Sequence, residues 1–461
     1  MDDWATYITD HAETAGEPPC FYIRTMGCQM NERDSETIAG LLIDMGLNRT
    51  ERKETADLVI INTCSVRDNA DQRFFGTLGQ VKKIKEANSR LIVGVCGCMM
   101  QQEHVVDEVK AKYPWVDIVF GTHNIHMLPE LLRGAAIEKK KRVEVWEEGG
   151  EIIEGLPARR EFPFKAYVNV MYGCDNFCTY CIVPYTRGRE RSRKPDEILS
   201  EARGLARNGV KEIMLLGQNV NSYKGIDEGG AVDFPELIYR LNEISGLRRI
   251  RFMTSHPKDL SKRLAAAYRD CEKLCKVIHL PVQSGSSRVL ALMNRNYTKE
   301  YYLDMIGLLR GICPNIAVTT DIIVGFPGEG DEDFEETLEL AEQVKFDSAF
   351  TFLFSARKGT PAASYEAQVS EEEKRRRFNR LLASLNGIAA EKNKTYIGRR
   401  ESLLVEGAGK TGENVMAGRM DNGKLVNFVG APELTGEFVD VRITEAKTFS
   451  LFGELTYCST D

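Results

Sequence analysis

The chain has 461 residues, 43% of them hydrophobic and 28% charged, with a net charge of −7, so it exceeds one ordinary core and divides into roughly two to four domains. That acidic balance excludes a uniformly cationic protein that coats nucleic acid, and an RNA partner has to be met by a local patch. The longest apolar stretches, such as 91–100, are too short to cross a membrane. The acidic N-terminus lacks the regions of a secretory signal, and the twelve cysteines of a chain read as cytoplasmic point to metal ligands rather than disulfides.

Residues 20–135 alternate β-branched runs with helical stretches. Strands are expected at Phe21–Thr25, Leu58–Asn62, Leu91–Val95 and Ile118–Phe120, with helices beginning near Asp34, Arg67 and Gln101. This βαβ rhythm predicts a parallel sheet. Cys28 follows the first strand, Cys64 the second and Cys98 the third. In a parallel sheet these positions share one edge, with neighbouring strands roughly 5 Å apart, in the crevice where open α/β sheets hold ligands. They are candidate ligands of one three-cysteine iron–sulfur cluster. Cys96 could take the place of Cys98, although the loop position favours Cys98. Cys20, Cys96, Cys271, Cys275, Cys313 and Cys458 are read as buried core thiols. From 138 to 160 the pattern lapses into charge, glycine and proline, the mark of a domain boundary, and 138–142 looks like a solvated linker.

Strand–helix alternation resumes at 164. Six strands are expected, at Ala166–Met171, Glu212–Leu216, Arg249–Met253, Val277–Leu280, Ala317–Val324 and Ala349–Phe354. They fit a partial (β/α)6 barrel with its chemistry at the C-terminal strand ends. A charged helix near Glu371–Lys394 closes this part. Short strands at Glu401–Val405, Leu425–Phe428 and Glu437–Ile443 suggest a small, OB-like β-barrel. The fold class is therefore α/β, with a Rossmann-like parallel domain over 19–137, a partial barrel over 160–393 and a β-barrel over 395–459.

Cys174, Cys178 and Cys181 follow the first barrel strand within eight residues. So short a loop can aim three thiolates at one iron–sulfur cluster and leave one iron open to a small molecule. The alternatives are a zinc site, which wants a fourth ligand that no nearby Cys or His supplies, and unliganded core cysteines. Polar, glycine-rich runs occur at the other strand ends: 216–221 with Gln218, Asn219 and Asn221; 254–257 with Ser255 and His256; 280–286 with Gln283 and Ser284; 324–329 with Gly325 and Glu329. Such a rim lets backbone approach a ligand closely and offers polar side chains to hold it. His256 and His279 are read as pocket or structural residues, and no general acid or base is needed.

Arg187, Arg189, Arg191 and Arg193 recur at every second position before Lys194-Pro195. If extended, the run puts four guanidiniums on one face, a ladder for phosphate oxygens. A solvated basic face is the plainer alternative. Residues 394–461 hold eight Lys/Arg against ten Asp/Glu, so composition gives no support for RNA binding there.

The run Gly-Cys-Asp-Asn-Phe-Cys-Thr-Tyr-Cys at 173–181 resembles the signature of the radical S-adenosylmethionine (SAM) superfamily. Gly-Cys-Gln-Met-Asn at 27–31, Asn-Thr-Cys-Ser-Val-Arg at 62–67, Phe-Phe-Gly-Thr-Leu-Gly-Gln at 74–80 and Pro-Tyr-Thr-Arg-Gly-Arg-Glu-Arg-Ser-Arg at 184–193 extend the resemblance to the methylthiotransferase family over nearly the whole chain. Ala356 and Gly330 depart from the family's wording, where Pro and Thr are usual. The resemblance implies two 4Fe–4S clusters and SAM as cofactors, with an auxiliary cluster carrying the sulfur and a C-terminal TRAM domain. In that domain Arg399, Arg400, Arg419 and Lys424 are possible RNA contacts. The implied partners are the anticodon loop of tRNA, a low-potential electron donor and a sulfur source. The implied reaction is methylthiolation of C2 of dimethylallyl-modified adenosine 37. Sister substrates are a ribosomal-protein aspartate and threonylcarbamoyl-adenosine in tRNA. A non-catalytic two-cluster protein that binds RNA or transfers electrons is the rival from another class.

Overall fold

A computed structural model describes residues 3–65, 69–410, 412 and 414–456. The expected helix start at Arg67 and the expected core thiol Cys458 lie outside the described residues. The chain forms two compact units. The first holds residues 1–161, 171–175 and 181–193; the second holds 162–170, 176–180 and 194–461.

The first unit is built on a parallel sheet of β1 (Cys20–Met26), β2 (Asn48–Arg49), β3 (Leu58–Thr63), β4 (Ile92–Gly97), β5 (Ile118–Phe120) and β6 (Arg142–Glu144), in the order β2-β1-β3-β4-β5-β6. Every residue of β3 and β4 is buried. Leu58 and Ile60 pack on one face with Phe21, Ile38 and Leu42. Val59 and Ile61 pack on the other with Phe74, Leu78 and Val95. Such two-sided burial is what makes a parallel strand read as a continuous apolar run. The two added strands are the edges: β2 has only two residues, and β6 recruits Arg142 from the stretch expected to be linker. Its pairing with β5 is supplied by backbone rather than by an apolar pattern. A two-residue ladder, β8 (Met171–Tyr172) with β9 (Arg191–Ser192), also belongs to this unit.

In the second unit the six expected barrel strands form at β7 (Lys165–Asn169), β10 (Glu212–Leu216), β13 (Arg249–Phe252), β14 (Val277–His279), β15 (Ala317–Val324) and β16 (Ser348–Leu353). They run as two parallel three-stranded sheets, β13-β10-β7 and β14-β15-β16. A hairpin of β11 (Lys224–Asp227) and β12 (Gly230–Asp233) is inserted. The charged helix spans Glu371–Lys394, capped by the Ser370 side chain on the Glu373 amide. The closed C-terminal barrel contains β17 (Arg400–Ala408), β18 (Val415–Met420), β19 (Leu425–Val429), β20 (Phe438–Ala446) and β21 (Leu451–Leu455). Sequence reasoning missed β18 and β21. Both carry glycine (Gly418, Gly453), where an added Cβ would press on a neighbouring strand's backbone. Arg251 donates to the carbonyls of Met420 (2.7 Å) and Asp421 (2.8 Å) and is paired with Glu212 at 3.0 Å, tying this barrel to β13.

Candidate functional site

Because β1, β3 and β4 are neighbours in register, Met26, Thr63 and Gly97 align across the sheet, and Cys28, Cys64 and Cys98 emerge from one edge. Cys28 caps the helix Gln29–Asp44 and Cys98 opens a 3-10 turn. The chain can make that turn only because Gly97 sits at φ 98°, where a Cβ would collide with the Thr63 carbonyl and the Asn62 side chain. Asn31 and Asn62, both fully buried, fix the edge: Asn31 donates to Asn62 Oδ1 (3.1 Å), and Asn62 donates to the Asn31 carbonyl and Ser35 Oγ (2.9 Å each). The Cys28 thiol points at Asn31 Oδ1, 3.5 Å away. Its pKa is lowered to about 6, chiefly by a hydrogen bond with Cys64 and also by the positive charge of Arg187. Burial pushes the Cys98 thiol up, against Arg187, whose Nε donates to Cys98 Sγ at 3.0 Å.

Arg187 overturns an expectation. The arginine run does not extend into a ladder: Val183–Arg187 is a short helix, and Gly188 (φ 74°) reverses the chain after it. Arg187 is 4% exposed and pairs with Asp34 at 2.6 Å. Arg193 is buried against Glu154 at 2.5 Å. Neither guanidinium is presented to phosphate, since a carboxylate on its own unit, buried for Arg187 and half-buried for Arg193, already satisfies each. Arg189 is exposed and pairs with Asp175 at 2.8 Å. Arg191 donates to the Gly150 carbonyl at 2.6 Å.

The loop 174–181 threads both units. Cys174 and Cys178 are buried and Cys181 is half-buried. Gly173, at φ 77°, occupies a spot where a Cβ would strike the Arg189 carbonyl, and the Cys174 amide donates to the Gly188 carbonyl at 3.1 Å. Phe177 adopts φ 45°, left-handed for an aromatic residue. Its carbonyl accepts from Asn294 Nδ2 at 3.1 Å. Arg295, buried, donates to Cys178 Sγ (3.4 Å), to the Tyr297 hydroxyl (3.1 Å) and to the Pro281 carbonyl (2.8 Å). Sequence reasoning missed it. A usable signal was its place between Asn294 and Asn296, both at φ 57°, since Asn tolerates that region better than most residues.

At the barrel's strand ends, Thr254 (φ 69°) and Gln283 (φ 72°) also hold left-handed backbone, the kind of strain that gathers at ligand sites. Asn219 Oδ1, Ser255 Oγ and His256 Nε2 are buried without a hydrogen-bond partner among the described residues. Burial, Arg295 and Lys258 push the His256 pKa far down, so the ring is neutral. Its Nδ1 accepts from the Lys258 amide at 3.3 Å, which leaves the proton on Nε2 as an unused donor. Asn221 is spent on the His256 backbone in both directions (2.9 Å each). Gln218 is half-buried at the same rim. Ser284 faces Thr337 (3.4 Å), and Glu329 is buried against Arg377 (2.9 Å) while accepting from the Gly325 amide. The last three therefore act within the fold. His279 is likewise engaged, with Thr319 Oγ1 at 3.0 Å.

Among the expected RNA contacts, Lys424 pairs with Asp347 (3.2 Å) and donates to Asn393 Oδ1 (2.9 Å), so its charge is met within the fold. Arg399 stacks over Tyr396, Arg400 pairs with Asp440 and Arg419 with Glu406; all three are partly or fully exposed. Cys96, Cys271 and Cys275 are core thiols as expected, whereas Cys20 and Cys313 are only half-buried.

Residues 168–341 match the radical SAM superfamily, 20–121 the uncharacterized protein family UPF0004, and 394–456 the TRAM domain. The tRNA-2-methylthio-N(6)-dimethylallyladenosine synthase of Alkaliphilus oremlandii is 54% identical over 440 residues, covering 95% of this chain and 93% of that protein. The protein of that name from Clostridium botulinum (strain Langeland) is 53% identical over 446 residues, 97% and 98% of the two chains. Among solved structures, the radical SAM methyltransferase TsrM from Kitasatospora setae, with cobalamin and a [4Fe–4S] cluster bound, superposes at TM-score 0.54 with 13% identity, over 75% of this chain and 77% of that one. The fold and the cysteine loop define a radical SAM transferase, a class that implies a 4Fe–4S cluster and SAM. Within that class the chain belongs to the tRNA-2-methylthio-N(6)-dimethylallyladenosine synthase family.

The side chains fit those groups. Among the described residues no three His, Cys, Asp or Glu side chains are gathered on one metal ion, whereas thiolates that each take a different iron need not be so gathered. The unpartnered atoms of Asn219, Ser255 and His256 supply two hydroxyl or N–H donors and an acceptor for a zwitterion.

Proposed function

We propose that this chain methylthiolates C2 of N6-dimethylallyladenosine at position 37 of tRNA in the cytoplasm, one SAM supplying the methyl group, a second the radical, and an auxiliary cluster the sulfur. Cys174, Cys178 and Cys181 hold the SAM-cleaving cluster, and Cys28, Cys64 and Cys98 hold the auxiliary one. The observation that carries the reading is the meeting of those last three at a single sheet edge, with Cys28 hydrogen-bonded to Cys64 and Cys98 held by Arg187. A lone radical SAM cluster has no use for it. His256 Nε2 and Ser255 Oγ donate to the SAM carboxylate and Asn219 Oδ1 accepts from its amine; Gln218 lies at the same rim. Arg189, Arg191, Arg399, Arg400 and Arg419 contact the tRNA backbone, and residues 19–137, 160–393 and 395–459 act as auxiliary-cluster, radical SAM and TRAM domains. A low-potential electron donor and a sulfur source complete the system.

Incubating reduced protein with SAM and dimethylallyl-modified tRNA, then analysing nucleosides by mass spectrometry, tests this. Methylthio-adenosine is expected. SAM cleavage without it would move the substrate to a sister molecule, and uncleaved SAM would end the enzymatic reading.

A further inference from the structure

Arg187 sits six residues beyond Cys181, yet its side chain serves Cys98 (Nε to Sγ, 3.0 Å). It is held there by Asp34, itself buried, at 2.6 Å. Cys174 is tied by its amide to the Gly188 carbonyl, so one short segment, 174–188, carries the three cysteines of the first trio and the guanidinium that serves the second. A buried arginine is costly unless an anion meets it. Here two anionic partners do, one a carboxylate and the other a cysteine that becomes a thiolate on ligation.

We infer that Arg187 and Asp34 form a positioning pair that sets the reduction potential of the auxiliary cluster. The inference rests on the two-cluster reading. A cation that donates N–H to a ligand sulfur stabilises the more negative, reduced cluster, and net charge and hydrogen bonds to sulfur are among the terms that fix such potentials. Asp34 opposes this by cancelling most of the arginine's charge, leaving its directed hydrogen bond. The two members therefore pull the potential in opposite senses. Removing Arg187 leaves a buried carboxylate near the cluster and lowers the potential. Removing the charge of Asp34 leaves an unbalanced guanidinium and raises it. A pair that merely braces the fold would give no such signed response.

The test uses the full chain carrying Cys174→Ala, Cys178→Ala and Cys181→Ala, so that only the auxiliary cluster remains, reconstituted with iron and sulfide and titrated with a graded reductant under EPR. Arg187→Met is expected to shift the midpoint downwards, Asp34→Asn upwards, and Arg187→Lys to return part of the loss. Asp34→Asn keeps every cysteine and the Arg187–Cys98 bond, so it decides the sign if the methionine variant sheds its iron. Midpoints of Asp34→Asn and Arg187→Lys that coincide with the parent's overturn the inference alone. A parent that retains no iron overturns the two-cluster reading, and the inference with it.

Discussion

In the barrel loop three cysteines fall within eight residues, whereas Cys28, Cys64 and Cys98 are separated by 36 and 34 positions (28 to 64, 64 to 98). The first trio is brought together by chain connectivity. The second is brought together only when β1, β3 and β4 pair in register. Each has the same local equipment, a glycine at positive φ just before a cysteine (Gly173, Gly97) and a buried arginine donating to a sulfur (Arg295, Arg187). The arginines differ in their counter-charge: Arg187 has Asp34, while the groups bonded to Arg295 are a thiol, two phenols and a carbonyl. A local site can be read from spacing; a site assembled by topology can be read only through the strands that carry it.

The largest effect that would sharpen this contrast is a split of activities. Replacing Cys174, Cys178 and Cys181 by alanine is expected to abolish SAM cleavage, whereas replacing Cys28, Cys64 and Cys98 keeps cleavage and loses the methylthio product. Chromatography of 5′-deoxyadenosine and of tRNA nucleosides reads both. Loss of cleavage in the second variant would break the comparison.

Next comes Gly97→Ala. Strained backbone costs about 1–3 kcal/mol at such a position, and the new Cβ meets the Thr63 carbonyl besides. About half the iron is expected to be lost, with SAM cleavage preserved. Gly76→Ala in the same unit, in a helix with open space at the Cβ, is the control and should stabilise by up to about 1 kcal/mol.

Arg295→Met removes a charged hydrogen bond to Cys178, a class of contact contributing about 1.5–3 kcal/mol. SAM cleavage is expected to fall by roughly tenfold to a hundredfold. In this variant the EPR spectrum of the auxiliary site should match the parent's. An unchanged cleavage rate would show that the barrel trio does not depend on its arginine.

The smallest effect concerns RNA. Arg419→Ala is expected to weaken tRNA binding slightly and to reduce the slope of log affinity against log salt by about one, read by filter binding. Lys424→Ala, whose charge is spent on Asp347, should leave that slope unchanged and lower thermal stability.

Most of the scaffold was legible because the barrel strands are short segments rich in β-branched and apolar residues, separated by helical stretches; Ala317–Val324 and the helix Glu371–Lys394 formed with the expected bounds. The edge strands β2 and β6 were not, since they are two and three residues long and exposed. The six candidate cysteines could be picked out from strand ends and spacing. Their arginines could not: period-two recurrence of Arg187 to Arg193 reads as a solvent-facing ladder, and nothing local announces that Asp34, distant in sequence, lies in wait for one of them. The partners of Ser284 and Glu329 were hidden for a similar reason, because Thr337 and Arg377 come from helices further along the chain.

Iron and acid-labile sulfide counted per chain, in anaerobically reconstituted protein and in the two triple-alanine variants, test the central claim most directly. The account predicts about eight of each in the parent and about four in either variant, the content of two 4Fe–4S clusters. About four irons in the parent, unchanged when Cys28, Cys64 and Cys98 are removed, would contradict it.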